Sequence, residues 1–503
     1  MELPKAQLCD YRKCLGNADF SMHQQPTHQG VMIMRPRFFC VLTAVAILAS
    51  FSTGCQTASD RKAPMMKAWV TGNAPMAARG FGDFADKQCG ENDKVDWHQE
   101  SATTYRATGD FTNSNRHLEE AAALVDKYES DPKYSISSEF AALLTNLQNL
   151  PYKGRSYDKI MIYTYRGLNY LALGEIDKAR PELNRAYQFQ QAAVDENNRR
   201  IEKAREVEQS NKDSSLIKTV TTNPDFVAAC QTNIIKNCEG FKFYANYVNP
   251  FTVYLDGLYF LYAGVGESDL EHARKSLNRV IEVAGSNQCV QADLQLAQNG
   301  GNNPTPTTYV IFETGQAASL TQIRFVIPIP YPGETVPYMI PAAFPKLAFH
   351  SDYAPELLIK AGEQQEKTTA IANMDAIIAQ DFKNEWPVIL TKTMISTMIK
   401  VGEQVAVKRA TAQQQNKLGG DLMTLGLDLF NIAVTIADTR SWMTLPKEFQ
   451  VARIPTPADR KIVLSTPGTS PVDVTVADGT VNIVYVKSVV ANSPLSISQF
   501  KLK

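Results

Sequence analysis

The sequence predicts a mainly α protein with a smaller β component, an α+β chain, and three observations predict it. Helical periodicity runs almost unbroken from Asp96 to about Gly285. Runs of β-branched and aromatic residues, bounded by Gly and Pro, gather after residue 308 and again after 471. A second helical stretch lies between these two groups of strands.

Ahead of the helical part, Arg35 and Arg37 precede the apolar run FFCVLTAVAILASF, which ends in Ser52-Thr53-Gly54-Cys55. A basic start, an apolar segment of about 14 residues and small residues at the end are the marks of a secretory signal. The run falls short of the roughly 20 apolar residues that a membrane-spanning helix needs. Residues 34–54 are therefore read as a signal peptide. Residues 1–33 are read as an upstream extension, because a signal peptide carries its basic end at the start of translation. The Ser-Thr-Gly-Cys ending resembles a bacterial lipobox, which implies acylation of Cys55 and a lasting lipid anchor. Gln56 stands where an Asp would resemble an inner-membrane retention signal, so the expected location is the outer membrane, facing the periplasm.

Acidic and basic residues nearly cancel, 52 against 51. That balance gives no support to a nucleic-acid partner or an anionic surface. Beyond Cys55 the chain keeps Cys89, Cys230, Cys238 and Cys289. An oxidising compartment would allow three pairings of these four, with Cys230–Cys238 preferred as the closest in sequence. Histidines and carboxylates do not flank the cysteines at zinc spacing, and no metal or cofactor is expected.

Residues 55–95, with Pro64, Pro75 and several glycines, are predicted to be a tether. A helical domain is predicted over 96–290, a linker over 291–308 and a mixed α+β domain over 309–503. Three stretches of the helical part share one design: Tyr105 to Ala121, Tyr165 to Ala186 and Leu258 to Val280. Each pairs an aromatic and small-residue helix with a Gly turn, acidic residues and a second helix. These stretches resemble tetratricopeptide repeats, although their turns are not spaced by a fixed 34 residues. The second unit's later helix is expected to reach about Lys212 on a narrow apolar stripe, so its end either projects or folds back.

In the mixed domain, Tyr309–Glu313 and Thr321–Ile327 read as strands. Six prolines from 328 to 345 are expected to confine 336–349 to short edge pieces. Helices are predicted over 368–382 and from Pro387 to about Ala412. Leu418, Leu422, Leu425, Leu429, Ile432 and Ile436 form one seam, predicted to close a helical hairpin against the second of these. Val472–Val476 and Val481–Val486 flank Asp478-Gly479, a hairpin signal. The tail strands are expected to join those at 309–349 in one small sheet.

Four blocks carry a resemblance: Ala343-Phe-Pro-Lys-Leu347, Ala437-Asp-Thr-Arg-Ser-Trp-Met-Thr-Leu-Pro446, Tyr309-Val-Ile-Phe-Glu-Thr-Gly315 and Phe382-Lys-Asn-Glu-Trp-Pro387. They look like the recurrent blocks of an uncharacterised bacterial lipoprotein family. That resemblance implies a lipid anchor and a repeat-like first half, with no activity to carry over.

Catalytic motifs are absent from the sequence: it has no G-x-S-x-G, H-E-x-x-H, phosphate loop or G-x-G-x-x-G. No catalytic residue is assigned. Asp438, Arg440 and Trp442 are read as a compact polar site, either bracing the fold or using Arg440 to hold a ligand. Tyr165, Tyr170, Tyr259 and Tyr262 are candidates for a partner-binding groove or for packing. The expected function is a lipid-anchored scaffold that binds a protein of the cell envelope. An accessory factor of peptidoglycan synthesis and a cell-wall hydrolase acting through two carboxylates are the alternatives.

Overall fold

The computed structural model describes residues 57–503 apart from 142–149, 246, 302–304 and 413–434. The described chain begins in helix, which corrects the predicted tether. Thr57 and Asp60 form a capping box at the start of α1 (Ala58–Val70), and Asn73 caps α2 (Ala74–Lys87), with Pro75 in its first turn. Trp69 and Phe81 are buried with Trp97 in a small core of their own. Gly80 and Gly82 serve packing: a Cβ would lie 2.7 Å from Met65 at the first and 2.8 Å from the Tyr105 hydroxyl at the second.

The three helix–turn–helix units form as read. They are α3 (Lys94–Ala107) with α4 (Phe111–Ser130), then α6 (Ser156–Ala172) with α7 (Ile176–Ser210), and later α10 (Pro250–Tyr262) with α11 (Gly266–Ala284). The short α5 (Ile136–Ala141) stands before α6. Gly109 and Gly174 turn the first two units at φ +80° and +75°, a conformation that costs an L side chain about 1–2 kcal/mol. The end of α7 does not project. Ala204 is buried, and Glu208 accepts a 3.0 Å bond from Thr391. Between the second and third units lie α8 (Ser214–Thr221) and α9 (Pro224–Asn233).

The predicted linker is also corrected. Much of it is α12 (Gln288–Gln298), whose Asp293 is buried against the hydroxyls of Tyr254 and Tyr309. Phe251 stacks on Phe449 at 3.9 Å, and the Tyr262 and Tyr309 hydroxyls meet at 2.7 Å. The helical and mixed parts therefore share one core, and the described residues form a single compact unit.

Strand β1 (Thr307–Thr314) is buried at every position, as a central strand should be. It lies parallel to β10 (Val481–Ser488) and antiparallel to β7 (Glu448–Pro455). Strands β11 (Ser496–Lys501) and β6 (Thr369–Asn373) complete a five-stranded sheet in the order β11-β10-β1-β7-β6. A ribbon of β2 (Ser319–Ile329) and β3 (Tyr338–Ala348) stands apart, as does a four-stranded sheet of β5 (Gln364–Lys367), β4 (Leu358–Ala361), β8 (Lys461–Ser465) and β9 (Val472–Thr475).

Three expectations fail here, each for a physical reason. The Asp478-Gly479 hairpin does not form, because β9 pairs with β8 while β10 pairs with β1 and β11. Asn482 closes that turn instead, accepting from the Gly479 N–H and donating to its carbonyl. The prolines do not break β3, which pairs with β2 along its full length. Pro341, Pro345 and the partner of Pro328 (Met339) all fall at positions of one parity, so the missing N–H groups belong to pairs that exchange no ladder bonds. Finally, residues 369–373 are strand, and one helix, α13 (Met374–Ala412), runs through Pro387. The predicted partner of the helical hairpin, Leu418 to Ile432, lies outside the described residues, as do Cys55 and the signal segment. Ile436 is buried and outside any helix. Among the described residues, no helix is long and apolar enough to cross a membrane.

Candidate functional site

A cleft of about 160 Å³ opens where α5, α7, α13, β3 and the segments 150–155 and 437–440 meet. Helical spacing aims its charges. Glu196 and Arg200 stand one turn apart on α7, and Glu385 and Lys392 two turns apart on α13. Glu385 receives Arg155 at 2.5 Å and Arg200 at 2.8 Å, one on each oxygen. Glu139 receives Lys153 and Lys392, both at 2.7 Å.

Burial alone would raise the Glu139 carboxyl. Lys392, Arg200 and Lys153 outweigh it and hold the group well below the usual carboxylate range. Glu385 is likewise lowered, with Arg200 and Arg155 overcoming burial. Asp381, one turn earlier on α13, goes the other way: burial and the Glu385 charge push it up to about 7. Two neighbouring carboxyls thus differ in proton affinity, the pattern that divides acid from base in hydrolytic sites. Both Glu385 oxygens are committed to arginines, however, so its charge is spent on the cleft wall.

The sequence candidates separate. Asp438 and Arg440 line this cleft, but as bracing. Arg440 donates to both Asp438 oxygens at 2.8 and 2.7 Å, and to the carbonyls of Leu150 at 2.8 Å and Asn92 at 3.1 Å. Trp442 lies away from the cleft, buried edge-on against Tyr165 with ring centroids 5.8 Å apart. The groove reading of the tyrosines is corrected: Tyr165, Tyr259 and Tyr262 are buried in the shared core. Tyr170 is half-buried, its ring 5.6 Å from the Lys178 ammonium. The preferred disulfide is corrected too. Cys230 and Cys238 are free thiols, each pushed up to about 11 by burial, and the Cys238 thiol turns to the Ile234 carbonyl.

Among the described residues, one cluster carries metal-ligand chemistry: Asp86 on α2, His98 on α3 and His117 on α4. The two imidazoles meet through their Nδ1 atoms at 2.8 Å, and Arg116 lies 2.8 Å from His117 Nε2. Arginine only donates, so the ring proton of His117 sits on Nδ1 and is given to His98. That is the hydrogen bonding of two neutral histidines, and it places a proton where a metal would bind.

Sequence reasoning missed Glu139, Lys153, Arg155, Arg200, Glu385 and Lys392. Only the Glu196/Arg200 and Glu385/Lys392 spacings hinted that charges would share a face. No family model, curated protein or solved structure matches this chain.

Proposed function

We propose that the protein is a lipid-anchored, periplasm-facing scaffold that binds a charged segment of an envelope protein in the cleft between α7 and α13. The leader and its Ser-Thr-Gly-Cys ending support the anchor, and the lipoprotein-family resemblance agrees with it. The single observation that carries the binding site is the convergence of Glu139, Lys153, Arg155, Arg200, Glu385 and Lys392 in one cleft. Alternating charges in a partly desolvated pocket favour one complementary pattern and penalise a mismatched one. A photo-crosslinking residue at Glu196 should capture one envelope protein, while the same residue at exposed Lys275 should not. Equal capture at both sites rejects the cleft as the binding surface. Intact mass of the native protein, with acyl chains on Cys55, tests the anchor separately.

A hydrolase acting through two carboxylates is the second reading, with Asp381 and Glu385, one turn apart on α13 and beside one small pocket, as the candidate pair. It predicts turnover of purified sacculi that Asp381→Asn abolishes. Sacculi left intact by the parent protein remove it.

A further inference from the structure

Away from the cleft, Arg106 ends α3 beneath the five-stranded sheet and is 6% exposed. Its NH1 donates to Asn169 Oδ1 at 2.5 Å. Its Nε and NH2, both buried, make no hydrogen bond of good geometry, although the Tyr485 hydroxyl stands close to the guanidinium. Burying such donors unpaired costs about 1–3 kcal/mol, more when they carry charge. These two nitrogens form the side-on fork with which a guanidinium grips a carboxylate or phosphate.

The local charge does not balance. Glu313 is the facing anion, and it is taken by Lys487 at 2.7 Å and the Tyr485 hydroxyl at 2.5 Å. Two buried cations thus share one carboxylate. The carbonyl end of α3 supplies only about half a negative charge against the remainder. The guanidinium lies over the Tyr485 ring at 4.4 Å, with the Tyr165 and Phe111 rings at 5.4 and 5.5 Å; the rings orient it and bring no negative charge of their own.

Beside Arg106 is a cavity of about 70 Å³, lined as well by Lys487 and its partner Glu313, by Tyr485, and by Ser496 and Ser498. A single water needs roughly 10–15 Å³, so the space admits a small polyatomic group. Sheet register explains the lining. Ser496 pairs with Lys487 and Ser498 with Tyr485, so hydroxyls and cation share one face.

We propose that this cavity is a binding site for a small oxyanion, a carboxylate or phosphate group, gripped by the Arg106 fork with Lys487 and the two serine hydroxyls beside it. The bound group supplies the missing negative charge and the missing acceptors together.

The test titrates the whole protein with acetate, inorganic phosphate and sulfate by calorimetry, and locates selenate in crystals from its anomalous signal. Saturable one-to-one binding is expected, with a selenate peak beside Arg106. The preferred probe, acetate or phosphate, names the source of the group. Arg106→Gln should weaken binding by at least about tenfold, and Ser498→Val should weaken it less. Glu196→Gln, in the other cleft, should leave it unchanged, so failure here and failure of the proposed partner site are read separately. Absence of saturable binding by all three anions overturns the proposal, as does unchanged affinity in Arg106→Gln. If Arg106→Gln does not fold, unchanged affinity in Ser498→Val or a selenate peak elsewhere overturns it.

Discussion

The indole N–H of Trp442 donates to the hydroxyl of Thr103 at 2.7 Å, joining residues 339 positions apart in the chain. Thr103 Oγ1 donates in turn to the Gln99 carbonyl of its own helix. This buried polar contact is one of those that pin the segment after residue 435 to the first helix pair. Thr103→Val keeps the shape and removes the acceptor, so it should cost about 1–3 kcal/mol. Trp442→Ala should cost about 3–5 kcal/mol. Urea midpoints at unchanged m-value read both.

Lys62 is wholly buried, donating to Asp96 and Glu100 at 2.7 Å each and to the Ser441 carbonyl at 2.9 Å. Glu100 also accepts from the backbone N–H groups of Met443 and Thr444. Lys62→Met leaves buried carboxylates without their cation and should destabilise by about 3–5 kcal/mol. Deleting residues 57–90 should be worse, lowering the melting temperature and exposing Trp97 to a fluorescence quencher. A free tether would give neither result.

Burial holds His98 at about 4 and His117 at about 3, with Arg116 adding to the depression and Asp86 opposing it. The unfolded chain takes these protons near the ordinary value of about 6.5, and the folded protein does not. Their contribution is therefore complete above about 6.5 and is lost as the pH falls toward 4. Replacing His98 by Asn should flatten the loss between pH 7 and pH 5 by about 2 kcal/mol, measured as unfolding free energy against pH.

Gly315 leaves β1 at φ +72°, and a Cβ there would lie 2.8 Å from Tyr353 Cβ and 2.9 Å from Lys447 Cβ. Both neighbours are stiff first side-chain atoms. Gly315→Ala should lose about 2 kcal/mol or more by strain and contact together, seen as a lower melting temperature.

The balance of helix over strand and the three helix pairs were legible, because glycine turns and 3.6-residue periodicity are local signals. The β1 run was legible for the same reason. What failed was non-local. Asp478-Gly479 has the composition of a tight hairpin, but β10 finds a better partner in β1. Pro387 resembles a helix start, yet packing carries α13 through it. Pro and Gly content suggests a tether over 55–95, but Thr57-x-x-Asp60 and Asn73-x-Pro75 spell two helix starts there. The cleft was invisible, since α5, α7 and α13 supply its charges from positions up to 253 residues apart.

Strand β1 leaves the chain early and waits for β10, its parallel neighbour, which lies within the last 23 residues. Until the tail arrives, one side of a strand that is buried at every position in the folded protein stands open, a ready template for pairing with another molecule. A premature stop near residue 480 would therefore leave a sticky half-sheet, and its product should meet proteases or inclusion bodies before it meets any partner.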